Sequence, residues 1–188
     1  MFEPESVARL LTVLVKRRDS IPDASAQQLA YLAGRVRAQD EAVIDWLIYL
    51  LISNPIQSVK SKAIQSLSWL GKDLPERRLP GIDGRPGPTL KQVIEQIVLG
   101  RPIPPTALGQ FKVDLDDDDG NQTPFYLRRK AIEALTWIGD KQTLQSVGHA
   151  ARSWDLELRE IWYTTSAALE ERLQHTHPRH WRSLIADS

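Results

Sequence analysis

The chain has 188 residues, 41% of them hydrophobic and 26% charged, with 24 Lys plus Arg set against 24 Asp plus Glu. A net charge of zero argues against a protein built around nucleic-acid phosphates, although a local basic face stays open. Cysteine is absent, which excludes disulfides, zinc thiolates and cysteine nucleophiles. The length suits a single domain with a sizeable core.

The opening "MFEPESVARLL" carries Glu3 and Glu5 where a secretory signal needs positive charge, so a cytoplasmic location is expected. A helix over 4–17 would cap the fold. "SAQQLAYLAGRVRAQ" and "DEAVIDWLIYLLIS" then read as a helical pair over about 23–53. The most apolar stretch, 43–52, contains Asp45 and is too short to span a bilayer, so no membrane insertion is expected.

"KAIQSLSWLG" at 62–71 returns as "KAIEALTWIG" at 130–139, identical at six of ten positions. Val59, Ala63, Leu67 and Leu70 stand at i, i+4, i+8 and i+11, as do Leu127, Ala131, Leu135 and Ile138. Each set is one apolar stripe on a helix. Pro55 and Pro124 precede the helix starts, and Gly71 and Gly139 are expected as left-handed stops.

The first copy pairs with "TLKQVIEQIVL" at 89–99, so this unit covers 56–99. Thr89 and Gln92 form a capping box there, and Leu90, Val93, Ile94 and Ile97 form the stripe. Two insertions interrupt the pattern. Residues 74–88 hold four Pro and three Gly, and residues 100–123 include "FKVDL", which reads as a short strand or hairpin arm.

The second copy opens a unit over 124–152. Leu144, Val147 and Ala151 give its second helix a stripe, and the short turn implies an antiparallel hairpin. A last unit over 155–186 begins at Asp155, an N-cap. Leu158-Arg159 repeats Leu127-Arg128, and Val59-Lys60 is the matching earlier pair. Spacings of 31 and 68 residues suggest a period of thirty to forty, the range of helical solenoids. One repeat cannot cover its own apolar face, and stacking supplies the missing surface.

Over "LRRKAIEALTWIGDKQTLQSV" the chain resembles a HEAT repeat, with a Gly139-Asp140 turn and an early Arg at 128 and 159 (Lys60 in the first copy). The resemblance implies an all-α, right-handed α-solenoid of antiparallel helix pairs over 1–188. It also implies an inter-repeat ion pair between Asp140 and Arg159, and a concave groove lined by the second helices.

Candidate sites follow from these placements. On the second helices Lys91, Glu95, Gln142, Gln145, His149 and Arg152 are expected to face a partner. Trp69 and Trp137 recur with the repeat and are expected in packing, as are Trp46 and Trp162, whereas Trp154 at a turn and Trp181 near the end are candidate exposed anchors. The run Asp114, Asp116, Asp117, Asp118 and Asp119 fits no calcium loop, because neither register brings both a sixth-position Gly and a twelfth-position acid. It reads as a solvated loop, with Asp116–Asp119 available for docking. His175, His177 and His180 read as the frayed end of a helix, and the basic pairs Arg17-Arg18, Arg77-Arg78 and Arg128-Arg129 as mostly solvated.

No Ser-His-Asp spacing, Gly-rich phosphate loop or HExxH appears, and no cofactor or metal is expected. The leading expectation is a non-enzymatic scaffold that binds a partner protein through its groove and edge loops. The alternative implied by the resemblance is a HEAT-like phycobilin lyase or chaperone acting on a pigment-bearing antenna protein. DNA handling, as in HEAT-like alkylpurine glycosylases, conflicts with the balanced charge.

Overall fold

The computed structural model describes residues 4–16, 21–70, 74–112 and 125–176. Among these residues the secondary structure is helical, with no strand. The α-helices are α1 (Pro4–Val15), α2 (Asp23–Arg35), α3 (Glu41–Ser53), α4 (Gln57–Leu70), α5 (Leu90–Leu99), α6 (Phe125–Ile138), α7 (Lys141–Ala151) and α8 (Leu156–Thr176). The duplicated phrase thus lies on α4 and α6. All eight residues of its two stripes are buried, as are Leu90, Val93, Ile94 and Ile97 of α5. On α7, Val147 and Ala151 are buried, but Leu144 is only half-buried and Thr143 takes the interior place.

Helix starts follow local chemistry. The Asp40 carboxylate accepts from the Ala42 amide, and the Thr89–Gln92 capping box forms as expected. A second box joins Asp140 to Thr143 at the start of α7. The Asp155 carboxylate accepts from the Leu158 amide at 2.9 Å. Gly139 is not left-handed, contrary to expectation. It is the close approach of α8 that requires it, since a Cβ there would fall 2.8 Å from Leu169 Cδ2 and 2.7 Å from the Leu135 carbonyl oxygen. A left-handed glycine stop does occur at Gly100, φ 62°, after α5.

Packing follows a repeating order. Helix α2 lies against α4, α4 against α6, and α6 against α8. Helices α3, α5 and α7 pack on α4, α6 and α8 respectively, and α7 approaches α8 and α5 more closely than α6. Small side chains bring α2 and α4 together. Ala26, Ala30, Ala33 and Gly34 line the α2 side, and the Ser66 hydroxyl donates to the Ala30 carbonyl at 2.6 Å. A Cβ on Gly34 would meet Ser66 atoms at 2.6–2.9 Å.

The early basic position also repeats. Lys60 is fully buried and its Nζ donates to the carbonyls of Leu51 and Ile52, at 2.6 and 3.0 Å, at the end of α3. Arg128 donates from Nε to the Val98 carbonyl at the end of α5, at 2.7 Å. Each satisfies helix-terminal carbonyls that burial has removed from water. Each also meets an aromatic ring, Phe111 at 4.3 Å for Lys60 and Trp154 at 4.5 Å for Arg128. Burial lowers the Arg128 pKa, and Asp155 partly opposes the shift. Trp154 is therefore a half-buried lid on Arg128 rather than an exposed anchor.

The insertions are partly structured. Residues 74–76 form a 3-10 turn, and the Leu79 amide reaches the Pro88 carbonyl at 2.9 Å, closing the Pro/Gly loop onto α5. Arg77 is engaged within the chain, at 2.6 Å from both Glu41 and Asp45. Phe111 and Lys112 are not in a strand, and Ile103, Leu108 and Phe111 pack against the core. The rest of "FKVDL", the acidic run, Gly71, Arg17-Arg18, His177, His180 and Trp181 lie outside the described residues.

Candidate functional site

The surface expected on the second helices divides in two. Gln142, Gln145, His149 and Arg152 are exposed on or just after α7. Lys91 and Glu95 are instead tied to α7 from α5. Lys91 Nζ lies 2.6 Å from Asp140 and 3.5 Å from Glu76, and Glu95 accepts from the Thr143 hydroxyl at 2.5 Å. Asp140 therefore pairs with Lys91, not with Arg159, which is half-buried and forms no ion pair among the described residues. Arg172 of α8 donates to the Gly139 carbonyl beside it.

This tie has a defined pH dependence. Burial disfavours the Lys91 charge, but the hydrogen bond and charge of Asp140, with Glu76 and Glu95 behind, hold its pKa above the ordinary value. Burial likewise disfavours the Asp140 carboxylate, yet Lys91 and both Thr143 donors hold its pKa below the ordinary value. The Asp140 contribution is complete above its unfolded pKa of about 3.9 and is lost as pH falls through the lower folded value. The Lys91 contribution is complete below about pH 10.4 and is lost as pH rises through the higher folded value. Asp140→Asn keeps a good N-cap but removes the charge. It is expected to melt below the parent at neutral pH, with the gap closing as pH falls below about 4 and through the lowered folded value. A constant gap in circular-dichroism melts across that range would assign the loss to capping instead.

The Trp expectation needs correction. Trp46 and Trp162 are buried, but Trp137 is 54% exposed and Trp69 only half-buried. Both stand on the outer side of the α2–α4–α6 row. Tyr31 of α2, 39% exposed, meets Trp69 edge-on at 6.2 Å and 64°. Lys62 Nζ lies 4.8 Å from the Tyr31 ring centroid, and Lys130 Nζ lies 5.9 Å from that of Tyr126. Of the six positions that the two copies share, Ala, Ile and Leu are interior, whereas Lys62/Lys130 and Trp69/Trp137 lie on this outer side.

Two adjoining pockets share the indoles. The first, about 330 Å³, is lined by Gly34, Arg35, Arg37, Ser68, Trp69 and Trp137. The second, about 200 Å³, continues between α4 and α6 past Gln65, Lys130 and Glu133. Glu133 is held by Lys130 at 2.6 Å and Arg129 at 3.1 Å. Arg35 and Arg37 are exposed, and among the described residues neither guanidinium has a protein partner. Arg37 follows the end of α2 with φ 49°, in the left-handed region that favours glycine. The Ala38 amide closes that turn on the Ala33 carbonyl at 3.0 Å.

A larger cavity, about 560 Å³, lies under the Pro/Gly loop beside Arg78, Arg85, Gln92 and Gln96. Gln92 is used in the α5 cap, and Arg78 reaches the Gly87 carbonyl at 3.4 Å. No group of three His, Cys, Asp or Glu able to hold a metal ion occurs among the described residues, and no described helix is long and apolar enough to cross a membrane.

The chain matches no protein-family model, and neither a curated protein nor a solved structure is significantly similar to it.

Proposed function

We propose that this chain is a short HEAT-like α-solenoid that acts without catalysis as a protein-binding scaffold, holding its partner on the α2–α4–α6 face. The packing order of α2, α4, α6 and α8, with α3, α5 and α7 behind, supports the solenoid reading. One observation carries the binding reading. Lys and Trp recur 68 residues apart at outward positions, where core packing does not require them. Aromatic side chains on a surface concentrate binding energy, and two indoles over adjoining pockets form such a centre.

Affinity capture from the native cell tests the assignment. Trp69→Ala with Trp137→Ala is expected to lose the partner that the parent chain retains. Gln145→Ala, His149→Ala and Arg152→Ala together are expected to keep it. The reverse result moves the working surface to α7. Loss only when Asp116, Asp117, Asp118 and Asp119 become Ser moves it to the loop edge.

A further inference from the structure

We infer that the pocket between Trp69 and Trp137 recognises a short acidic segment of a partner protein, with carboxylates on Arg35 and Arg37 and one apolar side chain between the indoles. This inference rests on the protein-binding reading above and names the chemistry of the bound segment.

The pocket combines two kinds of group. Trp69 and Trp137 offer flat apolar walls, and Gly34 contributes only backbone to the lining, its missing Cβ being demanded by the α2–α4 contact with Ser66. Arg35 and Arg37 border the same space with guanidinium forks whose planar donors match a carboxylate. Neither fork is used within the described chain, whereas Arg77, Arg128, Arg129 and Arg172 all are. Unlike these, Arg35 and Arg37 have N–H donors free to bond a ligand carboxylate.

Arg37 supplies a second, independent observation. The chain places a long basic side chain at a left-handed helix-end position where glycine is the least strained choice. Backbone bonds from Arg37 to Gly34 and from Ala38 to Ala33, at 3.2 and 3.0 Å, hold the turn, and the Arg37 side chain it presents has no partner among the described residues.

The charge pattern around the pocket agrees. Lys62 and Lys130 continue the basic character along α4 and α6, and Glu133, the one carboxylate lining the two pockets, is already neutralised by Arg129 and Lys130. Bases stacked on the indoles with phosphates on the arginines would use similar groups. The chain as a whole has no basic excess, with 24 cationic and 24 anionic side chains, and this favours the peptide.

The test uses the full chain as bait for a phage-displayed library of random twelve-residue peptides. The enriched peptides are expected to share Asp or Glu flanking one bulky apolar residue. A synthetic peptide of that consensus is expected to quench tryptophan fluorescence and to bind Arg35→Glu and Arg37→Gly at least about tenfold more weakly than the parent. Arg37→Gly carries the sharper evidence. It relieves the left-handed strain, so its melting temperature should equal or exceed that of the parent while its affinity falls. Misfolding cannot produce that combination. Failure to enrich any peptide, a consensus without acids, or full affinity in both Arg variants overturns the inference. So does tighter binding of a fluorescein-labelled twenty-nucleotide oligouridine than of the peptide. Peptides that lose affinity in Trp69→Ala with Trp137→Ala but not in the Arg variants overturn the acidic-segment inference and leave the protein-binding face standing.

Discussion

Lys60→Ala is expected to destabilise the fold by about 3–5 kcal/mol, a large share of the roughly 5–15 kcal/mol that holds an ordinary domain together. Two effects add. The side chain is fully buried, so truncation leaves a cavity among α3, α4 and Phe111. The Leu51 and Ile52 carbonyls also lose a donor that water cannot easily replace. Lys60→Met separates the terms, because it fills the space and removes only the polar end. It is expected to cost less than Lys60→Ala but still about 1–3 kcal/mol. Urea unfolding of both variants measures the two numbers. A Met variant as stable as the parent would show that the carbonyls find other donors.

Leu135→Ala and Trp137→Ala should separate sharply, although they sit two residues apart on α6. Leu135 is completely buried between rows of the stack, and large-to-small changes at such sites cost roughly 2–5 kcal/mol. Trp137 is 54% exposed, so its loss is expected to cost less than about 1 kcal/mol. Equal shifts in chemical unfolding would mean that the Trp137 indole carries packing energy, and the outer face would lose its claim as a binding surface.

The apolar stripes of α4, α5 and α6 were legible because burial on a helix repeats every 3.6 residues, and that period is written directly into sequence. The Thr89 and Asp155 caps were legible for a similar reason, since a cap acts within one turn. The placement of Trp69 and Trp137 was legible but misread. At about 100° per residue, Trp137 lies roughly 115° around α6 from the centre of the stripe, on the side shared with Tyr126, Lys130 and Glu133. Recurrence alone had suggested packing, whereas helical geometry already turned the indole outward.

Other features had no local signal. Lys91 reaches Asp140 across 49 residues, and nothing in either segment distinguishes that partner from Arg159. Lys60 under Phe111 depends on an irregular segment crossing the ends of α3 and α4. Arg37 in a left-handed turn runs against local preference, so sequence rules point to glycine there. Arg35 and Arg37 were accordingly overlooked as site residues. The available signal was the pair itself, placed at and just past the end of α2, with no acid within one helical turn of Arg35.

The central claim, that partners bind the α2–α4–α6 face, is tested most directly by site-specific photo-crosslinking in the native cell. Benzoylphenylalanine replaces Trp137 in one version of the chain and Gln145 of α7 in another. Both positions are exposed, and the first already carries a large aromatic ring. On irradiation, a discrete protein adduct is expected from position 137 and none from position 145. An adduct from position 145 alone would contradict the account and place the interface on the second helices.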